Sequence, residues 1–183
     1  MITIPHPGDF AHRSQIHGQA HVARVMVHAM RLIDATGWEH ERTRLWAAVY
    51  LHELARTHDG RCEVHGAQAV ARWHASPTLQ TVLADGGVRD TDHAAIARAV
   101  TLHSRPDRHE PARQDADWPL VALLKDADAL DRVRINDLNP AFLRLPQSHG
   151  MIDFAEQLFL NTDHVLTPGP RYFAELIEEV DLL

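Results

Sequence analysis

AAVYLHELARTHDG, residues Ala47 to Gly60, decides how this chain is read. Ala48, Val49, Leu51, Leu54 and Ala55 recur at the spacing of a helix's buried side. The same run carries His52 and Glu53. A carboxylate beside an imidazole at the end of an apolar run is costly unless something pairs with it. The "THDG" that follows is a turn signal, so the stretch predicts a helix from about residue 40 to residue 56 that delivers two polar groups to the interior.

The helical period continues in both directions. Val22, Val25, Met26, Ala29, Leu32 and Ile33 predict an amphipathic helix from about Ser14 to Ala35, with Ser14 as N-cap and Gly37 as stop. Further helices are expected over about 63–74, 78–83, 92–102, 117–133, 151–160 and 172–180. Pro119 just after Asp117 is a helix-start signal. No stretch alternates as a strand does and no repeat is visible, so helices must pack on helices. The expectation is an all-α, compact helical bundle forming one domain over residues 1–183. Its polar loops, residues 104–117 and 136–150, are candidate pocket walls.

A net charge of −7 argues against binding a nucleic-acid polymer or a membrane surface, both of which need clustered positive charge. It leaves room for a small phosphorylated partner in a locally positive pocket. The single Cys62 excludes an internal disulfide and fits a reducing compartment. The start, MITIPHPGDFAH, lacks the basic and apolar regions of a signal peptide, and no apolar run is long enough to span a bilayer. These features predict a cytoplasmic location. Fifteen histidines stand against eighteen lysines and arginines. His6, His12, His40, His58, His74, His93, His109, His149 and His164 lie in loop-like surroundings and carry no expected role.

Four segments concentrate polar groups on apolar stripes. In IHGQAHVARV, His17, His21 and Arg24, with His28 beyond, follow helical spacings of four, three and four and so share a predicted face. LHELAR holds His52 and Glu53, and EVHGAQAVA holds His65 at a helix start. LLKDADALDRVR sets Asp126, Asp128 and Asp131 in an otherwise apolar helix. His103, closing AIARAVTLH, is a further candidate. Buried acids of one sign need a shared counter-charge, and a divalent cation supplies it.

The order His, His-acid, distant Asp resembles the HD-domain metal-dependent phosphohydrolase superfamily over about residues 14–135, with 136–183 as a C-terminal helical extension. HVARV resembles the first ligand segment, placing that ligand at His21 rather than His17. AAVYLHELAR resembles the His-Asp segment, and HDG....HGAQA the stretch that follows it. LLKDADALDR resembles the last ligand segment, with Asp128 as the matching carboxylate and Asp126 as second choice. The resemblance implies metal ligands His21, His52, Glu53 and Asp128, with His65 and His103 completing a second site in two-metal members. The departure is Glu53, where the family carries Asp, and Glu53→Asp is expected to preserve or raise activity.

Imidazoles with carboxylates suit Mn, Fe, Ni, Co or Zn, with Mg an option where phosphates add oxygens. One ion is preferred over two. The implied chemistry is metal-assisted hydrolysis of a small phosphate ester, a nucleotide among the candidates. Glu53 or Asp126 would relay the proton of the attacking water. Arg56, Lys125 and Arg132 would neutralise charge on phosphorus, with Arg105 and Arg134 as weaker options. Arg24 is placed with them, or else orients a carboxylate. Two rival readings fit the same residues: a di-iron oxygenase of HD type, and a non-catalytic metal- or ligand-binding module in which Glu53 has ended turnover.

Overall fold

The computed structural model describes residues 2–109, 111–163 and 166–180; His164 lies outside the described residues. The architecture is all-α, with no strand among the described residues. In chain order the helices are α1 (Gln19–Thr36), α2 (Arg42–Leu51), α3 (His65–Ala75), α4 (Pro77–Asp85), α5 (His93–His103), α6 (Trp118–Leu130), α7 (Pro146–His149), α8 (Ile152–Thr162) and α9 (Tyr172–Val180). None is long and apolar enough to cross a membrane.

Helix α1 is the central rod. Val22, Val25, Met26, Ala29, Leu32 and Ile33 enter the main core with residues of α2, α5 and α6. Its opposite side, through Ala23 and Val27, meets Leu158 of α8 and Tyr172 and Leu176 of α9. Over residues 21–29 α1 is buried all round, while its last turns, with Arg31, Asp34 and Ala35 exposed and Leu32 and Ile33 buried, keep the amphipathic pattern its sequence suggests. Gly37 ends it as expected, with φ of 70° and its N–H donated to the Ile33 carbonyl.

The start of α1 differs from expectation. Ser14 Oγ accepts from the backbone N–H groups of Ile16 and His17, at 3.1 and 2.8 Å, and so holds a turn rather than capping a helix. The helix begins only after Gly18, which leaves His17 outside it. Helix α2 also stops early, at Leu51. Leu54 and Arg56 then donate to carbonyls three residues back, so the chain tightens through His52 and Glu53. Elsewhere ordinary helix punctuation holds. Ser76 caps α4 with Pro77 behind it, and a proline sits in the first turn of α6.

One contact shapes the interior. A Cβ on Gly66 of α3 would overlap the Val100 carbonyl oxygen of α5. Only glycine lets the two helices approach this closely, and the approach brings the start of α3 to the end of α5.

Candidate metal centre

Five helices deliver ionisable groups to one interior point. His21 comes from α1, His52 and Glu53 from the tightened end of α2, His65 from the first residue of α3, His103 from the last of α5, and Asp128 from α6. His21, His52, Glu53, His65 and His103 are all buried, and Asp128 is partly exposed.

The hydrogen bonds decide which nitrogen each ring presents. His52 Nδ1 lies 2.7 Å from the Val49 carbonyl, His65 Nδ1 2.9 Å from that of Cys62, and His103 Nδ1 2.6 Å from that of Val100. A carbonyl oxygen only accepts, so each Nδ1 carries the proton and donates. His21 Nδ1 donates likewise to Asp131 Oδ2, 2.7 Å away. In the neutral rings the four Nε2 atoms are therefore bare lone pairs, and they point at one another. His21 and His52 face at 3.3 Å, and His65 and His103 at 2.9 Å. Opposed acceptors at that distance repel unless a cation sits with them. Burial, the largest influence, pulls His52, His65 and His103 down to about 4 and so disfavours a proton as that cation.

The acids complete the set. Asp128 Oδ1 is 3.3 Å from His21 Nε2. Glu53 Oε1 is 3.4 Å from His17 Nδ1, 3.7 Å from His65 Nε2 and 3.9 Å from His21 Nε2. Burial pushes the Glu53 carboxyl up, but its hydrogen bond with His17 and the neighbouring imidazoles outweigh this and hold it below the usual carboxylate range. Donors around a tetrahedral ion at about 2.1 Å stand about 3.4 Å apart, so this spacing fits a metal. Within ligand-like separation, His21, His52 and Asp128 form one group and Glu53, His65 and His103 another; a third, His17, His21 and Glu53, overlaps both.

Behind His21 lies a buried charge network. Asp131, fully buried, receives His21 Nδ1 on one oxygen and Arg24 Nε at 2.6 Å on the other, with Arg134 3.4 Å away. Burial would push the Asp131 carboxyl up; the fields of Arg24 and Arg134 and the His21 bond override it and keep it ionised. Such a partner behind a ring nitrogen orients the ring and raises its basicity.

Several predicted residues take other places. Asp126 is fully buried and turned to the loop, where it accepts from the N–H groups of Arg144 and Leu145 and from Ser148 Oγ at 2.7 Å. It anchors the start of α7 and is not available as a proton relay. Arg24 is committed to Asp131, so it orients a carboxylate. Arg56 is likewise turned inward, donating through Nε to Glu53 Oε2 at 2.7 Å. Lys125 donates to the Arg105 carbonyl and to Asp107, and Arg132 to Asp137.

Lys125 and Arg132 do line a pocket of about 310 Å³ that opens beside His103 and Asp128. Arg105 and Arg144 line it too, with Phe142, 60% exposed, also in its wall. Arg144 was not singled out by residue in the sequence, although it lies in the 136–150 loop expected to wall a pocket. His17 and Asp131 stood in quoted segments, three or four residues from a ligand. Comparison with known protein families, with curated proteins and with solved structures finds no match for this chain.

Proposed function

We propose that the protein is a divalent-metal-dependent phosphohydrolase of HD-domain type, acting on a small phosphate ester. The observation that carries the reading is the meeting of four Nε2 lone pairs and two carboxylates beside a pocket whose wall holds Arg105, Lys125, Arg132 and Arg144 together with Asp107 and Asp137. The donors divide into two triads sharing no residue, each with two imidazoles and one acid, which favours two ions over the single ion preferred from sequence. When bound, such ions supply Lewis-acid activation of a water and of a phosphoryl oxygen.

The chain's own residues supply the rest. Protonated Nδ1 atoms held by carbonyls and by Asp131 keep all four rings in the tautomer that coordinates. Asp128 is the donor carboxylate on the pocket side, and it orients a water by accepting its hydrogen bond. Arg105, Lys125, Arg132 and Arg144 would offset the negative charge of a phosphate entering the pocket, the last three by exchanging their present bonds to Asp107, Asp137 and Asp126 for the phosphate oxygens.

The test is elemental analysis of protein purified without added metal, then a phosphoester screen with Mn, Ni, Co and Mg, with His52→Ala in parallel. Bound transition metal with hydrolysis, both abolished in His52→Ala, is the expected result. Metal-free wild type, or unchanged turnover in the variant, overturns the reading. Two irons per chain with visible absorption and no hydrolysis would transfer the site to the oxygenase reading, and bound metal with no reaction at all to the non-catalytic one.

A further inference from the structure

The departure at position 53 has a physical counterpart three residues along. Glu53 Oε2 is held by Arg56 Nε at 2.7 Å. The same guanidinium is fixed from its other side, since Arg56 Nη1 donates to the carbonyls of Gly60 at 2.7 Å and His58 at 3.3 Å. Both side chains are buried, at 3% exposure for Glu53 and 9% for Arg56. One carboxylate oxygen is thus committed to an arginine that the 58–60 loop clamps in place. The other, Oε1, stands among His17, His65 and His21 at 3.4, 3.7 and 3.9 Å.

We infer that Arg56 is a positioning residue that limits Glu53 to a one-oxygen donor and thereby controls the Glu53–His65–His103 ion site selectively. The inference rests on the metal-centre reading above. Selectivity follows from where the acids lie. Glu53 also lies 3.9 Å from His21, but the His21–His52–Asp128 triad keeps a carboxylate of its own, whereas Glu53 is the sole acid of the other triad. Releasing Glu53 from Arg56 therefore loosens the only anion that His65 and His103 have to share an ion with, and leaves Asp128 where it was.

The extra methylene of glutamate is what makes the double engagement feasible. An aspartate stem is shorter by one carbon–carbon bond, about 1.5 Å. It cannot keep one oxygen on the clamped Arg56 and the other at the Oε1 position. On this inference the site is built around the longer side chain, and Glu53→Asp, expected from sequence to preserve or raise activity, should instead disturb it.

Cobalt(II) titration of the full chain tests this, read by calorimetry, visible absorbance and bound metal per chain. The wild type is expected to hold two cobalt ions. Arg56→Ala should keep one within about threefold of wild-type affinity and weaken the other tenfold or more, the range seen when a residue supporting a ligand is removed. Arg56→Lys, which keeps the charge but not the two-sided fork, should show the same selective loss, and it decides the matter if circular dichroism finds Arg56→Ala unfolded. Glu53→Asp should also lose the second ion selectively. Both arginine variants binding two ions as the wild type does, or losing both equally, overturns the inference and leaves the metal centre standing. A wild type that binds fewer than two cobalt ions overturns the two-ion reading beneath it.

Discussion

The two donor triads are held in place by different physical means. His21, in the first, is backed by a charged network drawn from distant parts of the chain: Asp131 with Arg24 and Arg134. His65 and His103, in the second, are backed by main-chain carbonyls three residues away, and they meet because α3 and α5 touch at Gly66. The rings of the first triad are therefore vulnerable to loss of the Asp131 charge and those of the second to a change of shape, while Glu53 in the second depends on Arg56. Substitutions that act on one means only should separate the two.

Asp131→Asn carries the largest expected effect. It leaves buried Arg24 with only Asp163, 3.7 Å away, as a counter-charge, a loss of up to about 3–5 kcal/mol in folding stability. It also frees the His21 ring, so affinity at the first triad should fall about 10- to 100-fold while the second is spared. Chemical denaturation and cobalt titration check the two parts; equal weakening of both ions would erase the distinction drawn between the triads.

Gly66→Ala works on shape. The added Cβ meets the Val100 carbonyl, so α3 and α5 must separate, at about 1–3 kcal/mol. The ion held by Glu53, His65 and His103 should weaken about tenfold, with the His21–His52–Asp128 ion unchanged. Retained binding at both sites would mean that the close approach of the helices is not what brings the rings together.

His28 supplies the control, an imidazole buried in the same helix but away from the donors. Neither of its ring nitrogens has a hydrogen-bond partner among the described residues, and burial pulls it down to about 4. Its folded value lies below the 6.5 of an exposed ring, so its neutral form is the one folding favours. Stability is full above 6.5 and falls as pH drops toward 4. Between pH 7.5 and 5.5 the wild type should lose about 1 kcal/mol more than His28→Leu. Parallel denaturation curves at the two pH values measure this, and equal losses would show that His28 is not held neutral by burial.

Much of the fold could be read directly from residue order. The 3.6-residue period located the helices, Gly37 and Pro119 marked where α1 ends and α6 begins, and the absence of alternation excluded strands. His21, His52, Glu53, His65, His103 and Asp128 declared themselves as polar groups breaking apolar stripes. What failed was direction. Asp126 and Asp131 lie two residues before and three after Asp128, yet one anchors a loop and the other backs His21. Arg56 looks like a free cation in sequence and Arg24 like either a free cation or a carboxylate's partner, and each is committed to a buried acid.

Composition and period by themselves determined that this chain is helical, that its helices have buried faces, and that those faces carry imidazoles and acids. Those properties depend on neighbours within one or two turns. Tertiary structure alone decided which nitrogen each ring turns inward, which acid backs which ligand, and that His65 meets His103 across 38 positions of chain. Such pairings depend on how helices approach and rotate against one another, and no local spacing encodes that.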